Sequence, residues 1–269
     1  FNTQKGHLIN IIVENTKDML LKARHNNLRI RGIGIGVPGP VDSEKGIVHY
    51  FTNIKGWKNV PLKAVLERKI GLKVALDNDV NAMTLGEYKF GAGKGARNLV
   101  CLTLGTGVGG GIIINGGLYR GSTMCAGEIG HIPINEKGPG CNCRGTACIE
   151  RYIGNRYILD RAKKIFGKNI TLEKLDVFAK NGNKKAIRIW QDVGEKLGVA
   201  LTGVVNLLNP DRIVIGGGVS KAGRFILIPL RKEILRRAMK NQATHVKIVR
   251  ASLGGNAGVI GASLLVSMI

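Results

Sequence analysis

The sequence is short of cysteine, of acidic residues and of long apolar runs. Only 5 of its 269 residues are cysteine, and no secretory segment is recognisable, which argues against an extracellular fold held together by disulfides. No apolar run reaches the ~20 residues that a membrane-spanning helix needs. We therefore expect a cytoplasmic protein without a membrane partner.

The shortage of acidic residues leaves the chain strongly basic. Basic residues outnumber acidic residues by 41 to 18, and the net charge is +23. Such a charge attracts nucleic acid, anionic surfaces and phosphorylated metabolites. However, lysine and arginine are scattered along the whole chain, no basic block is interleaved with aromatic residues, and no helix-turn-helix pattern is present. We interpret the charge as a basic solvated surface and expect no nucleic-acid partner.

Apolar spacing and turn residues divide the chain into alternating strands and helices. The predicted strands lie at 28–37, 73–76, 98–104, 109–115, 212–215 and 246–251. The predicted helices lie at 8–25, 81–90, 187–208, 225–239 and 256–269. The glycine-separated strands at 98–115 form a predicted hairpin, so the pattern indicates an α/β fold with mixed sheets.

Three of the five cysteines fall between residues 141 and 148, and a histidine lies shortly before them at position 131. One histidine and three cysteines supply the four ligands that zinc takes in a tetrahedral structural site. Glycines and prolines between them allow the tight turns that such a site needs. Chance clustering of reduced cysteines is the alternative. The predicted ligands are His131, Cys141, Cys143 and Cys148.

Two glycine-rich turns follow predicted strands. Gly105, Thr106 and Gly107 form the first, where backbone N–H groups and a hydroxyl could approach phosphate oxygens. Gly217 lies in the second, and ligands of open α/β sheets bind at the carboxyl ends of strands. Both turns could equally be tight bends, since hairpins favour glycine. The pair together favours a nucleotide site.

Four polar residues are candidates for binding and proton transfer. Asn78 and Asp79 follow a predicted strand, where a carboxylate can accept a substrate's hydroxyl proton; the alternative is a helix cap. Glu128 precedes the predicted ligand His131 by three residues, and Glu150 follows the last cysteine by two. Metal ligands fix their sequence neighbours in space, so we expect functional carboxylates here rather than surface charges.

Together these elements resemble the ROK family (repressor, open reading frame, kinase). The motifs that carry the resemblance are Gly36-Val-Pro-Gly-Pro-Val-Asp42, Asp77-Asn-Asp-Val-Asn-Ala82, the Gly105-Thr-Gly turn, Gly127-Glu-Ile-Gly-His131 and Cys141-Asn-Cys…Cys148-Ile-Glu150. The resemblance implies a two-lobed, actin-like (ribonuclease H-like) ATPase fold. Residues 1–96 with 256–269 would form the small lobe, and residues 97–255 the large lobe.

The resemblance also implies roles for matching positions. Asp79 would be the base that accepts the proton of a sugar 6-hydroxyl. Residues that would hold the hexose are Asn53, Asn78, Asp79, Glu128, His131 and Glu150. Gly105, Thr106 and Gly107 would meet the phosphates of ATP, and Gly217 its adenosine side. Structural Zn²⁺, and Mg²⁺ with ATP, would be the cofactors, and the family suggests a homodimer.

The sequence departs from the family pattern in three ways. The first phosphate loop, Asp-x-Gly-Gly-Thr, is absent, and we expect it upstream of Phe1. Arg144 and Ala147 replace two glycines of the cysteine motif, which would cost ~1 kcal/mol or more each if those positions need a positive φ. No DNA-binding module precedes the small lobe in these residues.

These observations predict an ATP-dependent hexose kinase, with glucose as the preferred substrate. One alternative is a kinase for N-acetylmannosamine or N-acetylglucosamine, since the pocket around the sugar 2-position is not legible in the sequence. The other is the effector lobe of a sugar-sensing repressor. Retention of Asp79 argues for a kinase because a sensor needs no base, whereas the +23 charge favours a regulator.

Overall fold

The computed structural model describes residues 5–51 and 56–268. The chain divides into two compact units, which we describe separately. The first unit comprises Phe1–Gly86, Arg120–Ala126 and Gly255–Ile269, and the second comprises Glu87–Tyr119 and Gly127–Gly254. Within the described residues, no helix is both long and apolar enough to cross a membrane.

Strands and helices alternate along the described chain. The strands are β1 Ile33–Val37, β2 Val41–Asp42, β3 Ile47–Val48, β4 Val74–Asn78, β5 Leu99–Leu104, β6 Val108–Ile114, β7 Gly117–Tyr119, β8 Arg212–Gly216 and β9 Lys247–Arg250. The helices are α1 Lys5–His25, α2 Leu62–Ile70, α3 Asp79–Phe90, α4 Glu150–Ile153, α5 Asn155–Phe166, α6 Leu172–Lys180, α7 Lys184–Leu208, α8 Arg224–Arg237, α9 Lys240–His245 and α10 Ala257–Leu265.

In the first unit, β1 and β4 form a parallel pair whose register ends at Val37 opposite Asn78. The residues of β4 up to Asp77 are buried, as expected for a strand in a parallel sheet. Apolar residues of α1, α2 and the strands form one core, which includes Leu62 and Leu66 at 0% exposure. This core holds the carboxyl end of β4, where the candidate base lies.

In the second unit, five strands form a mixed sheet in the order β7-β6-β5-β8-β9. β5, β8 and β9 are parallel, and β6 is antiparallel to β5 and β7. Helix α7 crosses the core with a continuous buried face that includes Trp190, Leu197 and Leu201. It ends where the sequence indicates, because Asn209 adopts a left-handed conformation (φ 42°) and Pro210 follows.

One predicted strand is too long. The sequence favours a strand over 28–37, but β1 begins only at Ile33, whose partner is Val74 at the start of β4. Residues before Ile33 lie beyond the start of β4, so they have no strand residues of β4 to pair with. β-rich composition does not indicate where a partner strand starts, which explains the difference.

Candidate functional site

Asn78 and Asp79 lie at the junction of β4 and α3. The Asn78 side-chain oxygen accepts hydrogen bonds from the N–H groups of Val80 (2.9 Å) and Asn81 (3.3 Å), so Asn78 caps α3. Its amide nitrogen donates to the carbonyl oxygen of Gly39 at 3.2 Å. Asn78 therefore ties the helix start to the Gly36–Asp42 motif of the neighbouring strand.

Asp79 is the first residue of α3 and remains accessible to solvent. Desolvation by the surrounding protein raises the pKa of its carboxyl, although a hydrogen bond from the Val80 N–H opposes the shift. The residue also lines a groove of about 1460 Å³ in the first unit, whose walls include Gly34, Gly36 and Ala262. A carboxylate that is accessible and more basic than usual is suited to accept a proton.

Asp77, two residues before Asp79, is 2% exposed and forms an ion pair with Arg120. Asp77 belongs to a motif recognised in the sequence, but Arg120 was missed there. The sequence contained no signal for it, because an isolated arginine 43 positions away does not reveal its partner.

His131, Cys141, Cys143 and Cys148 come together in the second unit. Their ligand atoms all lie within 4.8 Å of one another. Cys141 Sγ is 3.6 Å from His131 Nδ1, and Cys143 Sγ is 3.6 Å from Cys148 Sγ. Tetrahedral bonds of about 2.3 Å would separate two sulfur ligands by about 3.8 Å. The cluster therefore has dimensions that could hold a small metal ion.

The pKa values of two thiols in this cluster are shifted in opposite directions. Burial raises the pKa of Cys148 to about 12, and the neighbouring cysteine sulfurs add to the increase. A hydrogen bond from the Gly145 N–H lowers the pKa of Cys143, which is exposed. A metal-bound thiol is deprotonated, so a cation would have to displace the Cys148 proton.

The imidazole of His131 faces the cluster on one side and a carboxylate on the other. Its Nε2 lies 3.7 Å from Glu128 Oε2, while its Nδ1 faces Cys141. Glu128 directly precedes the single turn Ile129–His131, and His131 ends it, which explains how three residues of separation bring them together. A cation on Nδ1 would fix the tautomer and leave Nε2–H as a donor beside Glu128.

Glu150 begins α4 and reaches the Gly105–Gly107 turn. Its Oε2 accepts a hydrogen bond from the Val108 N–H at 2.8 Å. A side chain at Gly107 would meet this carboxylate, so Glu150 would have to shift to admit one. The Asn155 N–H also donates to the Gly105 carbonyl at 2.9 Å. The turn is therefore a hairpin connection that is anchored to the α4–α5 segment.

Gly217 lies directly after β8, which is parallel to β5. It has a φ of 83°, and a side chain there would collide with the backbone of Leu104 at the end of β5. The two glycine-rich turns thus lie side by side at the carboxyl ends of neighbouring strands. This is the edge at which open α/β sheets bind ligands.

The chain matches the ROK family over residues 2–269. It belongs to the ROK family. Among its ROK relatives is a glucokinase of Halalkalibacterium halodurans, which is 39% identical over 277 residues that cover 97% of this chain and 84% of the relative.

Solved ROK structures share the fold. A glucokinase from Streptomyces griseus, in complex with glucose and AMPPNP, has a TM-score of 0.83 at 32% identity and covers 100% of this chain and 90% of its own. A ROK transcriptional regulator, a homolog of the E. coli MLC protein, has a TM-score of 0.90 at 26% identity, covering 98% and 69%. The predicted α/β, actin-like ATPase fold with mixed sheets is confirmed.

The structure thus groups the predicted site residues within each unit. Asn78 and Asp79 are adjacent in the first unit, while the second unit brings together the histidine–cysteine cluster with Glu128, and Glu150 with the Gly105–Gly107 turn. Asn53, the remaining predicted sugar ligand, lies outside the described residues.

Proposed function

We propose that this protein is an ATP-dependent hexose kinase that phosphorylates glucose at its 6-hydroxyl. One observation carries the proposal: an accessible carboxylate of raised basicity, Asp79, at the end of β4 in a chain 39% identical to a glucokinase. Phosphoryl transfer needs little more from the protein than positioning, charge stabilisation and a group to take the hydroxyl proton. Asp79 supplies the last of these.

The sugar would be held by polar side chains of three sequence motifs, Asp77–Ala82, Gly127–His131 and Cys141–Glu150. Asn78 uses its oxygen to cap α3 and one N–H to reach Gly39, which leaves its second N–H for a ring hydroxyl. Glu128, His131 and Glu150 offer acceptors and a donor for the remaining hydroxyls. Asn53 completes the proposed set.

The nucleotide would lie along the two glycine-rich turns. Gly105, Thr106 and Gly107 would face its phosphates, and the exposed Thr106 hydroxyl adds a donor. Gly217 would face the adenosine side. Mg²⁺ accompanies ATP in such kinases and neutralises the charge that develops on the transferred phosphoryl group.

We further propose that the cluster of one histidine and three cysteines binds structural Zn²⁺. The donor set and the sulfur separations suit a closed tetrahedral site. His131 would use Nδ1 for the metal, so its other nitrogen stays available beside Glu128. The metal would then order the segment that carries two proposed sugar ligands.

A coupled ADP-release assay tests the activity, with glucose, mannose, fructose, N-acetylglucosamine and N-acetylmannosamine as acceptors. We expect the highest kcat/KM with glucose. A higher kcat/KM with an acetamido sugar would change the proposed substrate but not the proposed reaction. ADP release that no sugar stimulates would contradict the proposal that the protein is a hexose kinase.

The variant Asp79→Asn tests the role of the base. It should still bind glucose in calorimetry but lose at least ~10²-fold in kcat, the usual scale for removing a general base. Asp18→Asn, on the exposed face of α1, is the control and should retain full turnover. Unchanged turnover in Asp79→Asn would remove Asp79 from the mechanism.

A sugar-responsive regulator is the second candidate, because a ROK transcriptional regulator matches the fold with a TM-score of 0.90. A regulator would bind a sugar without turning it over, so the same assay separates the two. We also propose a cytoplasmic homodimer. Sedimentation analysis would show twice the 28.9 kDa chain mass if the protein dimerises.

A further inference from the structure

The Asp77 carboxylate is buried, accepts three hydrogen bonds and forms an ion pair with Arg120. Its Oδ2 accepts from Arg120 Nε at 2.8 Å and lies 2.7 Å from Arg120 Nη2. Its Oδ1 accepts from the Asn78 N–H at 2.7 Å and from the Asn81 side-chain amide at 2.8 Å. At 2% exposure, the carboxylate has exchanged its hydration for these partners.

These bonds converge on the segment that carries the proposed base. Asn78 and Asn81 lie on either side of Asp79, and both are fixed to the same carboxylate. A rotation of the Asp77 side chain would therefore disturb the end of β4 and the first turn of α3 together. Buried, fully satisfied networks of this kind rigidify the backbone around them.

Arg120 connects this network to a second segment. Residues Arg120–Ala126 belong to the first unit, although the residues before and after them belong to the second. The Ala126 N–H donates to the Arg120 carbonyl at 2.9 Å and closes the segment into a loop. The chain then continues directly into Gly127 and Glu128. Arg120 thus holds the loop that leads to a proposed sugar ligand.

We infer that the Arg120–Asp77 ion pair is a positioning device for phosphoryl transfer, holding Asn78 and Asp79 in register with the loop that leads to Glu128. The inference rests on the proposed kinase function. The guanidinium suits this task because its planar array of donors grips one carboxylate oxygen from two nitrogens. A lysine ammonium is a point charge and cannot reproduce that geometry.

The experiment compares Arg120→Lys, Arg120→Ala and Asp77→Asn with the wild type. Arg68→Lys, on the exposed side of α2, and Asp18→Asn, on α1, are matched controls. We measure kcat, KM for glucose and for ATP, and the thermal midpoint of each variant. Arg120→Lys preserves the charge and keeps a folded protein in the comparison if Arg120→Ala does not fold.

We expect Arg120→Lys to lower kcat by ~10²-fold, the scale of a small misplacement of catalytic groups. The KM for ATP should stay within about threefold, since the pair lies in the unit that does not carry the glycine-rich turns. The kcat of Arg120→Ala should be lower than that of Arg120→Lys, because alanine removes the charge that lysine preserves. Both controls should match the wild type.

Two results would overturn the inference while leaving the kinase intact. One is wild-type kcat in Arg120→Lys and Asp77→Asn. The other is a fall in kcat that matches the fall in the fraction of folded protein, with ATP binding lowered to the same extent. That result would indicate that the ion pair has a purely structural role. If the wild type itself phosphorylates no sugar, the proposed function fails first and the inference falls with it.

Discussion

At the residue scale, the cysteine motif departs from the family pattern at two positions whose backbone conformation favours glycine. Arg144 and Ala147 replace glycines, and both have a positive φ, 73° and 56°. Non-glycine residues pay a steric cost in this region. Arg144 is exposed, whereas Ala147 is buried.

We therefore expect Arg144→Gly to stabilise the protein by about 1 kcal/mol. Ala147→Gly should gain less, because it removes a buried methyl group worth about 0.8 kcal/mol. Arg231→Gly, at an exposed position inside α8, is the control and should destabilise by about 1 kcal/mol. Chemical denaturation measures all three, and a lower midpoint for Arg144→Gly would contradict the strain argument.

The raised pKa of Asp79 makes stability depend on pH. The ionised carboxylate is less favourable in the folded than in the unfolded protein, so stability is lost as the pH rises through the folded-state pKa. Asp79→Asn should therefore raise the thermal midpoint at pH 7, and the gain should vanish below about pH 4, the ordinary pKa of aspartate. A lower midpoint than the wild type at pH 7 would contradict this sign.

At the element scale, α3 is held at both ends by buried carboxylates. Asp77 holds its start, and Glu87, near its end, is 0% exposed. The Glu87 oxygens accept hydrogen bonds from the backbone N–H groups of Ala92, Ser252 and Leu253 at 2.8–3.1 Å. Glu87 therefore joins the end of α3 to the segment that precedes α10.

Glu87→Gln should lower the free energy of unfolding by ~2 kcal/mol or more. The amide nitrogen would face backbone donors, and a buried N–H group would lose its acceptor. Glu136→Gln changes an exposed carboxylate of the same unit and should be neutral. Urea denaturation provides the comparison, and equal midpoints for the two variants would show that Glu87 is not needed for stability.

At the scale of the whole molecule, the proposed zinc site would hold a segment whose backbone makes few regular contacts. Residues 132–149 contain isolated bridges rather than strands, including Pro133–Cys148 and Gly140–Thr146. Metal ligation would supply the order that a sheet supplies elsewhere, since binding free energy becomes folding free energy.

Chelation should therefore lower the thermal midpoint by roughly 5 °C or more and weaken glucose binding at the same time. Cys143→Ser should lose bound zinc in elemental analysis, while Cys125→Ser, outside the cluster, should retain it. If chelation changed neither stability nor glucose affinity, the cluster would have no structural role.

The two compact units are a second property of the whole molecule. Their boundaries fall at Gly86 and Gly254 and isolate the loop Arg120–Ala126. The lobe bounds predicted from the sequence, 1–96 with 256–269 for the small lobe and 97–255 for the large lobe, stay a prediction. Limited proteolysis, with mass spectrometry of the fragments, tests them.

The sequence by itself determined what depends on neighbours along the chain. The alternation of strands and helices, the end of α7 at Asn209 and the spacing of His131 with the three cysteines are all local patterns. Periodicity, turn chemistry and ligand spacing act over a few residues, which is why they are legible before folding.

Only the tertiary structure decided which distant residues meet. Arg120 pairs with Asp77 across 43 positions, and Glu87 accepts from Ser252 across 165. Neither contact can be recognised from the local sequence pattern, because each joins residues that are far apart along the chain and meet only after folding. A buried carboxylate needs such partners because an unpaired buried charge is costly, and the partners that it holds are therefore informative about function.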